Sequence, residues 1–261
     1  VIGNALFFRA NDGSSGTELW KTNGTTAGTV MVADIRPGTA NGSPNHFYAD
    51  GTKLYFSANN GNGTEPFVYD GTTVTSLGDI RPGTDSSAPT NFTSIGGGKV
   101  LFSAFNGTAA PGTGTELYVT DGTLAGTALV KDINAGGVSS SPTWLTPLGG
   151  GGSIMFSALE VGTGRELWFS GGTSGSTILF KDVEPLVATG SSLPSWGSSI
   201  AARRSIDGTT LYMEADDGAT GDELWRLTKG VIAPIKDINP GPGNSDPKEF
   251  TELFNGTKLL T

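Results

Sequence analysis

The amino-acid sequence repeats one unit of about 51 residues five times. The most regular part of the unit is a block of Gly, any residue, Glu, an apolar residue and an aromatic residue. The blocks are GTELW (16–20), GTEPF (63–67), GTELY (114–118), GRELW (164–168) and GDELW (221–225), and their glutamates are 47, 51, 50 and 57 residues apart. A period of this length indicates one supersecondary unit stacked several times, which constrains the fold more than any other feature of the chain.

Each repeat carries the signals of four short strands. An alternating run that ends in Ala precedes each block, and a second run that ends at a recurring Asp follows it. Turns such as TNGT (22–25) and TDGT (120–123) join the block to the second run and favour a hairpin. A loop with a Pro and an aromatic residue then leads to a fourth strand. The pattern predicts a four-stranded antiparallel meander in each repeat.

Such meanders predict an all-β chain, namely a β-propeller built from five four-stranded antiparallel repeats. Residues 1–261 are expected to form a single repeat domain, either a closed five-bladed ring or a segment of a larger ring or array. A β-solenoid is disfavoured, because its coils are usually shorter and lack hairpin turns. The predicted repeats span 4–51, 52–97, 98–151, 152–208 and 209–256, and residues 257–261 would start or close a further blade.

The composition of the chain narrows the choice of partners. The sequence holds 41 Gly, 14 Pro and no Cys, and its formal net charge is −9. Many of the glycines recur at the turns of the repeat, so they indicate tight corners rather than flexible linkers. Because the Lys and Arg residues are scattered, no nucleic-acid partner is expected. No run of 18 apolar residues occurs, so membrane insertion is not expected.

Two long segments, ELWKTNGTTAGTVMVADIRPG (18–38) and ELYVTDGTLAGTALVKDINAG (116–136), resemble the ELWxxDGT repeat of bacterial secreted and cell-surface proteins. The resemblance implies an extracellular or cell-surface, propeller-like module, often part of a larger protein. It implies no activity, because it brings no catalytic residues that could be carried over. Over the whole chain, the segments that carry the resemblance are 16–38, 63–83, 114–136, 164–185 and 221–241.

One Glu and one Asp recur in every repeat, 14 or 16 residues apart. We expect a structural role, in which each carboxylate accepts hydrogen bonds at a strand end or tight turn. The competing interpretation is one acidic ligand or cation site per blade. The residues are Glu18, Glu65, Glu116, Glu166 and Glu223, with Asp34, Asp79, Asp132, Asp182 and Asp237.

The most acidic stretch of the chain is EADDGATGDE, residues 214–223. Calcium prefers several oxygen ligands from a flexible loop, so Asp216, Asp217, Asp222 and Glu223 are candidate calcium ligands. A solvated hairpin is the favoured alternative, because the stretch lacks EF-hand spacing and the matching loops are less acidic. No other cofactor is expected.

The aromatic residue of each block decides between two kinds of binding surface. If these residues are buried between blades, they contribute to packing between the sheets. If they are exposed in clefts, they are platforms on which sugars can stack. They are Trp20, Phe67, Tyr118, Trp168 and Trp225.

The function that the repeats favour is a non-catalytic extracellular interaction or scaffold module that presents loops to protein or matrix partners. A multivalent carbohydrate-binding propeller with glycan partners is one alternative, since several weak sites would add avidity. A carboxylate-dependent glycan-active enzyme is the other. No catalytic residue is predicted, because repetition is nearly uniform and no single repeat carries an unusual set of polar groups.

Overall fold

A computed structural model gives the fold of the chain. It describes residues 2–107, 111–148, 151–182, 201–205, 210–228 and 230–247, with the backbone alone for 201–205. The predicted strand at 257–261 lies outside these residues. Half of the described residues are β-strand and 1% are helix. The described residues contain one short 3₁₀ turn, Ser174–Ser176, and no helix long and apolar enough to span a membrane.

The strands form antiparallel sheets in which neighbours in space are also neighbours in sequence. The first sheet holds β1 (Leu6–Asn11), β2 (Thr17–Thr22) and β3 (Val30–Ala33). The second holds β4 (Asn45–Asp50), β5 (Lys53–Asn59), β6 (Thr64–Tyr69) and β7 (Val74–Ser76). The third holds β8 (Thr90–Gly96), β9 (Lys99–Phe105), β10 (Thr115–Thr120) and β11 (Ala128–Lys131).

The fourth and fifth sheets have the same order of strands. The fourth holds β12 (Thr143–Pro147), β13 (Ile154–Glu160), β14 (Gly164–Ser170) and β15 (Ile178–Lys181). The fifth holds β16 (Ala201–Ser205), β17 (Thr210–Asp216), β18 (Asp222–Thr228) and β19 (Val231–Lys236). The predicted all-β fold with four-stranded antiparallel sheets is confirmed at this level.

The sheets are offset by one strand from the repeats that the sequence shows. Strand β4, which ends the first sequence repeat, pairs with β5 of the second repeat, and Asp50 lies opposite Lys53. The connection between them is a tight turn in which Gly51 has a φ of +60°. By contrast, eleven residues (34–44) separate β3 from β4. The short turn therefore fixes which strands pair, and the loop with the Pro connects one sheet to the next.

The chain divides into two compact units, 1–141 and 142–261. In the first unit, the second sheet is covered on both faces, because side chains alternate along β5. Leu54, Phe56 and Ala58 of β5 belong to a cluster with Leu19 of the first sheet. Tyr55 belongs to a different cluster, with Phe102 and Tyr118 of the third sheet. Successive sheets of this unit therefore pack face to face.

The first strands of the second and third sheets also meet. The backbone N–H of Ser94 in β8 donates to the Tyr48 hydroxyl of β4 at 2.8 Å, and the Ser94 hydroxyl donates to Asp50 at 3.2 Å.

Among the described residues of the second unit, one core cluster is shared by the fourth and fifth sheets. Strand β12 contacts β16, so first strands meet in this unit as well. The buried members of the cluster are Met155, Leu167, Leu211, Met213, Ala215, Trp225 and Leu227.

Candidate functional site

The recurring glutamates are all buried in the fold. Each lies near the start of the last strand but one of its sheet, opposite a small Ala on the preceding strand, as in the pairs Ala58 with Glu65 and Ala104 with Glu116. The glutamates expose no more than 1% of their surface. Buried carboxylates need hydrogen-bond partners, so the contacts of these side chains show what each one does.

The carboxylate of Glu116 holds the loop that leads to the next sheet. It accepts hydrogen bonds from the backbone N–H of Ile133 at 3.0 Å and of Ser140 at 2.7 Å. The Ser140 hydroxyl donates to it as well, at 2.5 Å. All three partners are buried groups of the chain itself, so this carboxylate has little capacity left for an external ligand.

The same contacts recur in other repeats. Glu65 accepts from the backbone N–H of Ile80 at 2.9 Å and from Ser87, through its N–H at 3.0 Å and its hydroxyl at 2.6 Å. Glu18 accepts from the N–H groups of Ile35 at 2.8 Å and Gly42 at 2.6 Å.

In the fifth sheet, Glu223 accepts from the N–H of Ile238 at 2.9 Å and the hydroxyl of Ser245 at 2.8 Å. A third and longer bond comes from the N–H of Asn239, at 3.4 Å. Glu166 of the fourth sheet is equally buried.

Burial shifts the titration of these acids. It raises the pKa of Glu116 to about 7, with a smaller contribution from the charge of Asp132 and against the hydrogen bonds from Ser140 and Ile133. The pKa values of Glu18 and Glu65 are also raised, chiefly by burial. For Glu223, burial raises the pKa, but the bonds from Ile238, Ser245 and Asn239 outweigh it and the net shift is downward.

Three of the recurring aspartates bind the turn that follows the last strand of their sheet. Asp79, Asp132 and Asp237 each accept, through Oδ2, from the N–H of the glycine four residues later, at 3.0–3.3 Å. The Oδ1 atoms of Asp132, Asp182 and Asp237 are buried, with no hydrogen-bond partner in the described part of the chain. Asp34 and Asp79 are exposed. A structural role for the paired acids is consistent with this geometry and stays a prediction.

The aromatic residues of the blocks are placed mainly for packing. Phe67, Tyr118, Trp168 and Trp225 are 2–6% exposed, and Trp20 is half-buried. The Tyr118 ring lies 5.7 Å from that of Phe102, centroid to centroid. Four of the five predicted ligand-binding aromatics therefore present almost no surface to a sugar.

The candidate calcium ligands do not converge. Asp216 accepts from the N–H of Gly218, and Asp217 from those of Ala219 and Thr220, within their own turn. The fold instead brings carboxylate oxygens of Glu214, Asp222 and Asp246 within 4.8 Å of one another. Only Asp222 belongs to both groups, and such a cluster is not by itself evidence of a bound ion.

A cleft of about 320 Å³ opens between the second and third sheets of the first unit. One wall is the segment after β7, Leu77 to Ile80. The other wall consists of Tyr118, Leu124 and Thr127 to Leu129. Leu124 is 64% exposed. A Cβ on Gly78 would lie 3.3 Å from Leu124 Cδ1, so the glycine lets the two walls approach.

Sequence reasoning missed this cleft. One signal was present: Leu124 stands in the turn of the third repeat, where the first repeat has Thr26 and the fourth has Ser174. An apolar residue at an exposed turn is a departure from the pattern of the repeat. The segment that Leu124 faces, Leu77 to Ile80, belongs to the neighbouring sheet, so the sequence of the third repeat does not show the contact.

No model of a known protein family matches the sequence, and no curated protein matches it significantly. Among solved structures, oligopeptidase B from Leishmania major is 9% identical over 90% of this chain and 32% of that chain, with a TM-score of 0.51. A puromycin-hydrolyzing peptidase of Mycobacterium tuberculosis is 14% identical over 90% and 38%, with a TM-score of 0.46. TolB from Acinetobacter baumannii is 14% identical over 87% and 49%, with a TM-score of 0.42. The chain thus spans a third to a half of the length of these proteins.

These comparisons correct the predicted function. A non-catalytic extracellular interaction or scaffold module was expected, with a lectin-like propeller or a glycan-active enzyme as alternatives. Several of the similar solved structures are instead peptidases, among them oligopeptidase B, prolyl endopeptidases and a puromycin-hydrolyzing peptidase. At 9% identity and a TM-score of 0.51, the similarity to oligopeptidase B shows a related fold and extends to no activity of this chain.

Proposed function

We propose that the chain is a ligand-binding β-propeller domain whose cleft between the second and third sheets takes one small apolar group. The observation that carries the proposal is the cleft itself, with Leu77, Ile80, Leu124 and Leu129 on its walls. Its volume of about 320 Å³ lies at the lower end of the range for ligand pockets, so it suits a single aliphatic or aromatic group.

The exposure of Leu124 supports this role. A leucine that is 64% exposed costs free energy in water, and contact with a ligand would cover it. The net charge of −9 disfavours anionic ligands. The proposed occupant is therefore an apolar side chain of a peptide, or a small molecule of the same kind, that carries no negative charge.

The proposed role is binding without catalysis. Among the residues that line the cleft, Asp79 supplies the one carboxylate and Tyr118 the one phenol. Burial raises the pKa of Tyr118 to about 12, so its hydroxyl stays protonated at neutral pH and is a poor base.

The finer architecture is part of the same proposal. The face-to-face packing of sheets, with first strands in contact, supports blades of a propeller. We propose that these five blades form a closed ring or a segment of a larger one. Membership of the ELWxxDGT repeat family, and with it an extracellular or cell-surface location, rests on the resemblance of the repeat motifs.

The test is a titration of the whole chain, labelled with ¹³C at Leu and Ile methyl groups, with acetyl-leucinamide and acetyl-phenylalaninamide. We expect shift changes at Leu77, Ile80, Leu124 and Leu129. Leu124→Ser should weaken binding by a factor of about five, since covering part of a leucine stabilises by about 1 kcal/mol.

Leu6→Ser is the matched control, because Leu6 is similarly exposed at 56% but lies on β1, away from the cleft. Shift changes scattered over the surface, or equal weakening by both variants, would contradict the proposal.

A further inference from the structure

We infer that the cleft selects ligands that carry a cationic amine next to their apolar group, which Asp79 binds. The inference rests on the proposed function, since it assigns a ligand class to the same cleft. Asp79 lies on the cleft wall between Gly78 and Ile80, and Leu124 and Leu129 line the opposite wall. Its carboxylate is the one full charge among the lining residues.

Asp79 differs from three of its four counterparts in other repeats. Asp132, Asp182 and Asp237 are half-buried, and each has one carboxylate oxygen with almost no solvent contact. Asp79 is exposed. It makes one hydrogen bond, a long one of 3.3 Å from the N–H of Gly83 to Oδ2. Asp79 is thus available to a ligand that occupies the cleft.

The charges around Asp79 leave it uncompensated. Within the described residues, Asp79 has no ion-pair partner. Arg81, two residues away, pairs with Asp85 at 2.9 Å, and its guanidinium lies 4.8 Å from the centre of the Phe105 ring. Glu65 is close enough for the charge of Asp79 to raise its pKa. A cation brought to this wall would therefore meet a net negative potential.

The expected preference is modest. Exposed ion pairs contribute little in water, and a partly enclosed apolar wall strengthens them somewhat. We expect a cationic ligand to bind about three- to fivefold more tightly than a neutral one with the same apolar group.

The test compares phenethylamine with 2-phenylethanol, which share a phenylethyl group and differ in charge. Methyl shifts of Leu124 and Leu129 give both dissociation constants on the intact chain at pH 7. The amine should bind more tightly, and Asp79→Asn should remove its advantage while leaving binding of the alcohol unchanged. Asn can still accept from Gly83, so the turn is retained. Asp70→Asn is the charge-matched control, because Asp70 is exposed in a turn where the first repeat has Asn23.

The outcomes separate the two proposals. If neither compound shifts the cleft methyls, the proposed function fails and this inference fails with it. If both bind equally, or if D79N leaves the advantage of the amine intact, the charge selection is wrong and the apolar cleft stands. If D70N and D79N reduce the advantage of the amine over the alcohol equally, the effect comes from the net charge of the protein, and the proposed role of Asp79 is wrong.

Discussion

Replacing Glu116 by Ala tests whether the buried acid holds the fold together. The change leaves the backbone N–H groups of Ile133 and Ser140 without their acceptor, and both residues are at most 3% exposed. An unsatisfied buried donor costs about 1–3 kcal/mol, and the Ser140 hydroxyl loses a further partner. The variant also avoids the free-energy cost of burying a carboxylate, and this offsets part of the loss in stability. We expect the free energy of unfolding to fall by about 2–4 kcal/mol.

Urea unfolding of the whole chain at pH 7, followed by circular dichroism, measures this change. Amide hydrogen exchange adds a local readout, since the Ile133 and Ser140 amides should lose protection first. Ser140→Ala is a milder variant, which removes one donor to Glu116 and should cost about 1 kcal/mol. Glu160→Ala is the control, because Glu160 is half-buried at the end of β13 and should cost less than about 0.5 kcal/mol. A loss in E116A no larger than in E160A would refute a structural role for Glu116.

Two further predictions concern the same repeats. Because the pKa of Glu116 is about 7 in the folded chain and 4.5 ordinarily, the folded state binds the proton more tightly, so the free energy of unfolding should fall as pH rises between these values. Urea midpoints at pH 5 and pH 8 should show a contribution of up to about 3 kcal/mol that Glu116→Gln removes; an unchanged pH profile in that variant would contradict it. Gly63→Ala should destabilise by about 3 kcal/mol or more, because φ is +89° and the new Cβ would overlap the carbonyl of Asp85. Gly61→Ala, with a φ of +108° and open space around it, should cost about 1 kcal/mol, and equal thermal shifts in the two variants would show that the overlap does not matter.

The strands could be predicted because their signals are local. Alternation in LYFSA (54–58) and the Asp-Gly turn at 121–122 depend on neighbours in sequence, and the strands and antiparallel order follow from them. The pairing of β4 with β5 was harder to foresee, since the sequence repeat has no marked start. The predicted limit between residues 51 and 52 falls in the tight turn that joins β4 to β5, although the longer connection 34–44 carries more turn residues.

The site was less accessible to sequence reasoning. Glu65 and Glu116 were identified because a Glu recurs in every repeat. Their hydrogen-bond donors lie 15 to 24 residues later, in loops that carry no recognisable motif, so the sequence did not reveal them. The acidity of residues 214–223 suggested a calcium site. In the structure, Asp216 and Asp217 instead accept hydrogen bonds from backbone N–H groups of their own turn. The cleft joins residues of two repeats, so neither repeat alone shows it.

The carboxylate contacts also bear on how a chain of this kind can grow. Glu18 holds Gly42 just before β4, and Glu65 holds Ser87 just before β8, so each sheet anchors the start of the next one. A duplicated repeat therefore carries its own glutamate, which can bind the segment before the next sheet, so no new contact has to evolve at the junction. Gain or loss of whole repeats should be tolerated far better than an insertion between the glutamate and the residue that it holds.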